Sequence, residues 1–123
     1  MPLKYLIDEH LRGKFTQALI SEGIKQGLPL DVLETGGDEA PPLSTLDDGL
    51  LRWAEANDRV LVSLDKRTLP EALETHLATG ASSPGILLIR RGFTWEDILY
   101  YLVLFAEVAV PDEYKNRCTY IPL

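Results

Sequence analysis

Asp8, Asp47 and Asp65 are the residues of this chain best suited to chemistry. Asp8 ends the apolar run of residues 3–7, Asp65 ends the run of residues 60–64, and Asp47 opens an amphipathic run. If the two apolar runs are neighbouring parallel strands, their carboxyl ends converge on one edge of a sheet. That edge is where open α/β folds place their chemistry. Carboxylates gathered there repel one another unless a cation is present. A hard divalent ion that prefers oxygen ligands, Mg²⁺ or Mn²⁺, is the natural remedy.

Each acid also has a plainer reading. Asp8 suits the N-cap of a following helix, and Glu9 suits a first helical turn or an auxiliary ligand position. Ser44 and Asp47 have the spacing of a capping box. Asp47 lies on the side shared with Leu50, Leu51 and Ala54, so it aims inward, whereas Asp48 points elsewhere. Asp65 suits a turn or cap. Ser63 is either a contact for substrate phosphate or a structural strand-end serine. Lys66, Arg67, Arg90 and Arg91 all fall near predicted strand ends. They either set positive charge beside the acids, as a phosphodiester substrate requires, or simply solvate the surface. His10, beside two acids, is a proton-shuttle candidate or a helix-surface residue, and neither His10 nor His76 has metal-ligand spacing. Cys118 has no activating neighbours and reads as a buried thiol. Phosphate-cradling glycine motifs are absent from the sequence, and Tyr100 and Tyr101 read as packing or partner-facing residues.

The elements that would position these groups follow from periodicity. Residues 3–7, 30–34, 60–64, 85–89 and 118–121 read as strands, the last an edge strand. Residues 10–22 carry Leu11, Phe15, Ala18 and Leu19 at helical spacing, with Gly23 as the closing residue. Residues 44–57 form the next helix, 70–77 a short one starting at Pro70, and 94–107 a long one capped by Thr94. Residues 35–42, with their glycines, acids and prolines, form the loop expected to be most mobile, and 110–116 are irregular. The order β-α-β-α-β-α-β-α-β predicts a three-layer α/β/α sandwich with a mainly parallel, roughly five-stranded sheet. Strands of continuous apolar character fit burial on both faces.

Composition sets outer limits. The 123 residues suit one domain spanning 1–123. No apolar run approaches the ~18 residues of a membrane span, and a strand starting by residue 3 leaves no room for a signal peptide. The single cysteine excludes an intrachain disulfide and a Cys-based zinc site, so a cytoplasmic protein is expected. Twelve basic against nineteen acidic residues give a net charge of −7. This argues against broad, passive nucleic-acid binding, but an acidic metal site with local cations beside it is compatible with a nuclease.

YLIDEHL near the start, LDDGLLRWAEANDRVLVSLDK in the middle and GILLIRRG later together resemble the small PIN-like proteins of the DUF5615 type, short relatives of the PIN-domain nucleases. The resemblance runs from residue 3 to about residue 107, and the middle block is its most specific part. There the pattern D-x-x-[IL]-L-x-x-A is met by Asp47, Leu50, Leu51 and Ala54. The following [TS]-x-D-K is met by Ser63, Asp65 and Lys66, and Asp8 with Glu9 matches the acidic pair after the first strand. The resemblance implies a PIN-like fold and a Mg²⁺- or Mn²⁺-dependent endoribonuclease, often the toxin of a toxin–antitoxin pair. It makes Asp8, Asp47 and Asp65 the catalytic metal ligands. RNA would be the substrate, with Ser63, Lys66 and Arg67 beside it, and an antitoxin protein the partner. A homodimer is left open and no membrane is involved. Two departures matter. Relatives commonly continue D-K-D-F where this chain has Asp65-Lys66-Arg67-Thr68, so a cation replaces a fourth acid, which counts against a two-metal site and bears on activity. The stretch 24–29 is also lengthened. A binding module that keeps the fold but acts through a protein partner is the competing expectation. A receiver-like phosphoacceptor ranks last, because Arg90 and Arg91 stand where a lysine is needed.

Overall fold

The computed structural model describes residues 3–122 of the chain. Five strands, β1 (Lys4–Ile7), β2 (Asp31–Glu34), β3 (Val60–Ser63), β4 (Ile86–Ile89) and β5 (Cys118–Ile121), form one sheet in the order β2-β1-β3-β4-β5. All four pairings are parallel. The helices are α1 (Lys14–Lys25), α2 (Asp47–Asn57), α3 (Leu69–Ala78), α4 (Trp95–Val108) and the short α5 (Pro111–Tyr114). This is the expected α/β sandwich with a five-stranded, fully parallel sheet.

Alternation along the strands makes the two cores. Tyr5, Ile7, Val60, Val62, Leu87, Ile89 and Ile121 face one way, against Leu19 of α1 and Ile98, Leu102, Val103 and Ala106 of α4. Leu6, Leu61, Ile86 and Leu88 face the other way, against Leu50 and Leu51 of α2 and Leu69 and Leu73 of α3. Both faces of the sheet are therefore covered, as the unbroken apolar runs require. The Tyr5 hydroxyl donates to the Leu102 carbonyl at 2.7 Å, which ties β1 to α4 and leaves that buried hydroxyl paired. At the amino ends of the strands Arg59 is buried, donating to the Tyr5 carbonyl at 3.1 Å and to the Asp31 carboxylate at 2.8 Å.

Several local expectations are corrected. The first helix does not begin at residue 10: Glu9–Leu11 form a separate 3-10 turn, Gly13 breaks the chain at φ +91°, and α1 starts at Lys14. Gly23 does not close that helix but lies inside it, facing the Leu28 carbonyl so closely that a Cβ would approach to 2.8 Å; the reversal falls at Gly27, where φ is +72°. The second helix begins at Asp47 rather than 44, and Ser44 sits outside it at φ +64°. Residues 110–116, expected to be irregular, contain the one-turn helix α5. The cap at Thr94 is as expected, its hydroxyl accepting from the Asp97 amide at 3.1 Å.

Candidate functional site at the carboxyl edge of the sheet

Because every strand is parallel, one edge gathers the residues that succeed each of them. Asp8 comes after β1, Thr35 after β2, Asp65 after β3 and Arg90 after β4. A helix that leads back into a parallel strand starts at this same edge, so Asp47, the first residue of α2, arrives there too. The three acids singled out in the sequence thus share one edge, and hydroxyl groups connect them.

Asp8 is 8 % exposed, a low value for a carboxylate, and its two oxygens are both engaged. One accepts from the Glu9 amide at 2.8 Å, which starts the 3-10 turn; the other accepts from the Ser63 hydroxyl at 2.7 Å. The cap and the cluster are therefore both served, one by each oxygen. The Ser63 hydroxyl in turn accepts from the Asp65 amide at 3.0 Å. Ser63 is fully buried. Its reading as a substrate contact is corrected: its hydroxyl links the ends of β1 and β3 and holds the two acids in register.

Asp65 is a turn residue as well as a member of the cluster. Its Oδ1 accepts from the amides of Arg67 at 2.9 Å and Thr68 at 3.0 Å, the pattern by which an aspartate organises a helical entry. Its Oδ2 is in very short contact with the Thr68 hydroxyl, which also lies 2.8 Å from Asp47 Oδ2. Partial burial pushes the Asp65 carboxyl up. The hydrogen bonds from the Thr68 hydroxyl and the two amides, with the charge of Arg67, outweigh it and hold the group below the usual aspartate range. The Ser44–Asp47 capping box is not formed, and Asp47 faces Thr68, while Asp48 faces outward to Arg52 at 3.1 Å.

Thr68 was not legible as a member of this site. A threonine has one hydroxyl proton, yet here one hydroxyl meets two carboxylates. That proton can be given to only one of the two carboxylates at a time. Among the described residues, however, no three His, Cys, Asp or Glu side chains are gathered closely enough to hold a metal ion. The acids are brought to one edge and linked through Ser63 and Thr68 rather than drawn onto one point. In donor chemistry the set fits Mg²⁺ or Mn²⁺, being all carboxylate and hydroxyl oxygen.

Neighbouring groups hold the frame. Glu9 accepts from the Ser44 amide at 2.7 Å and so fastens the loop before α2. The far end of that loop is fastened by the buried Thr35, whose hydroxyl donates to the Ile7 carbonyl at 3.0 Å. Glu34, a further acid at this edge, accepts from the Gly13 amide at 2.8 Å and faces Arg12 at 3.6 Å. His10 is exposed. His76 lies away from the cluster, buried between the Ser82 carbonyl at 2.8 Å and Glu55 at 3.1 Å. Cys118 is partly buried and burial pushes its thiol up, so it is not a primed nucleophile. No helix among the described residues is long and apolar enough to cross a membrane. Comparison with protein-family models, with curated proteins and with solved structures gave no match.

Proposed function

We propose that this chain is a metal-dependent endoribonuclease of PIN-like type, the toxin half of a toxin–antitoxin pair, working in the cytoplasm. The observation that carries the reading is the shared Thr68 hydroxyl. Two carboxylates on different elements, Asp47 and Asp65, converge on a single proton donor, with Asp8 joined to Asp65 through Ser63. Such an arrangement invites a cation. Asp8, Asp47 and Asp65 are the residues that would hold Mg²⁺ or Mn²⁺, which when bound supplies an activated water and neutralises charge on the transferring phosphoryl group. Ser63 keeps the acids oriented. Lys66 and Arg67, directly after Asp65, set positive charge where the phosphodiester must approach an otherwise acidic edge. The decisive assay is cleavage of a mixed single-stranded RNA panel with Mg²⁺ or Mn²⁺, comparing wild type, Asp8→Asn and an EDTA control. Cutting by wild type alone, only with metal, is the expected result; cutting that survives both Asp8→Asn and EDTA would end the proposal.

One observation favours a second reading, a non-catalytic module that acts through a protein partner. The carboxylates are linked through hydroxyls and do not close on one point, and Arg67 adds a cation beside them. Titration with Mg²⁺ and Mn²⁺ separates the two, since the module binds neither ion at millimolar concentration.

A further inference from the structure

The carboxyl edge is not uniformly acidic. Beyond Asp65 it turns basic. Lys66, Arg90 and Arg91, together with Phe93 and Pro122, line an open cleft of about 550 Å³. Tyr120 of β5 stands beside it, with the Lys66 ammonium 6.0 Å and the Arg90 guanidinium 5.6 Å from its ring centroid. In a chain of net charge −7, this concentration of cations is a local reversal of sign. Among the described residues none of the three cations is ion-paired with a carboxylate, whereas Arg12, Arg52 and Arg59 are. Arg90 is held in place, its amide donating to the Ile121 carbonyl at 2.7 Å and its Nε to the Pro122 carbonyl at 2.8 Å. Among the described residues its terminal guanidinium nitrogens make no hydrogen bond or ion pair.

Register connects this cleft to the acids. Ser63 pairs with Leu88, and Leu88 pairs with Tyr120, so the three form one row across β3, β4 and β5 and share a face of the sheet. With strands ~4.8 Å apart, Tyr120 lies roughly 10 Å along the row from the serine that holds Asp8. The Tyr120 ring is partly exposed, flanked by cations that no carboxylate neutralises among the described residues, and aligned with a carboxylate cluster. That is the chemistry of a seat for one unit of a single-stranded polynucleotide: a base on the ring, its phosphates on the cations. The ring's contacts with Lys66 and Arg90 do not prevent this. An exposed cation–π contact is weaker than base stacking, and both side chains are long enough to move from ring to phosphate.

We infer that the cleft beside Tyr120 binds single-stranded RNA next to the acidic site, the base stacking on Tyr120 and the backbone phosphates meeting Lys66, Arg90 and Arg91. The inference rests on the nuclease reading for its choice of RNA, and the test keeps the two apart by measuring binding without cleavage. The probe is a fluorescein-labelled dodecauridylate titrated with the full chain in EDTA and followed by anisotropy. Tyr120→Leu is expected to weaken binding about tenfold, while Tyr120→Phe, which keeps the ring, leaves it within about twofold. Arg90→Ala with Arg91→Ala is expected to flatten the dependence of log K on log salt by about 0.7 for each phosphate no longer neutralised. Thermal melts of each variant confirm folding. Absence of binding by wild type, or binding unmoved by Tyr120→Leu and by the double arginine change, would overturn the inference. Binding as expected from a chain that cuts nothing with Mg²⁺ or Mn²⁺ would instead sink the nuclease reading and leave the RNA cleft standing.

Discussion

Ser63 and Thr68 decide what the three aspartates can do. Ser63 is buried and serves two partners, giving its proton to Asp8 and accepting from the Asp65 amide. Ser63→Ala leaves one oxygen of a nearly buried carboxylate without its donor, the other keeping the Glu9 amide, and leaves the Asp65 amide without an acceptor. A loss of about 1–3 kcal/mol is expected, read from urea unfolding at neutral pH; an unchanged midpoint would show that the hydroxyl bears no weight. Thr68 supplies the largest of the hydrogen-bonding influences that hold the Asp65 carboxyl low against its burial. Thr68→Val is therefore expected to move the Asp65 titration upward in a carboxyl-detected NMR experiment, while Thr68→Ser keeps it low. The aspartates themselves were readable in the sequence, because each sits where an apolar run stops or starts. Thr68 was not. Its part depends on Asp47 lying 21 residues away in the chain yet within hydrogen-bond reach, and no local pattern records such a meeting.

The same contrast holds for whole elements. The interior strands β1, β3 and β4 were legible because a strand buried on both faces must be largely apolar, and short runs such as GILLI leave few alternatives; the edge strands β2 and β5 carry polar residues and are only partly covered. Helix starts and stops were less so. Ser44 has the spacing of a cap, but its amide is drawn to Glu9, 35 residues earlier, and the helix begins three residues later. Gly23 resembles a helix terminator, yet it is a packing glycine. Removing a glycine from a helix interior normally stabilises by about 1 kcal/mol. Here the added Cβ would come within 2.8 Å of the Leu28 backbone carbonyl and 3.3 Å of Leu30, and backbone cannot step aside as a side chain can. Gly23→Ala is thus expected to lower the melting temperature, with the clash outweighing the propensity gain. A raised melting temperature would mean that the turn leading into β2 yields easily.

Across the molecule, acidic groups dominate, and several are stabilised as charged forms. Burial pushes the Glu34 carboxyl up, but the hydrogen bond from the Gly13 amide and the charge of Arg12 help to bring it below the ordinary glutamate range. A carboxyl with a lower pKa in the folded chain than in the unfolded one contributes stability above the unfolded value. That contribution is lost as pH falls through the folded one. Asp65 acts in the same direction. Stability is therefore expected to decline as pH falls from the unfolded carboxyl range through the lower folded values of these groups, and Glu34→Gln should be less stable at neutral pH with a shallower acid decline. Parallel pH curves for the two chains would remove Glu34 as a source of the decline. The layered architecture around these groups followed from the alternation of apolar strands and amphipathic helices, and the same strand ends put Lys66, Arg90 and Arg91 within reach of the acids, whereas the place of Tyr120 among those cations was not readable. Tyr120, Arg90 and Lys66 come from three distant stretches of chain and meet only because β3, β4 and β5 are adjacent.

The central claim is that Asp8, Asp47 and Asp65 act together on one divalent ion. Mn²⁺ binding followed by electron paramagnetic resonance tests it most directly, on wild type, Asp8→Asn and Asp65→Asn, with folding checked by circular dichroism. One bound ion per wild-type chain is expected, lost or weakened at least tenfold in each variant. No binding by wild type at millimolar Mn²⁺, or binding unaffected by either substitution, would contradict it.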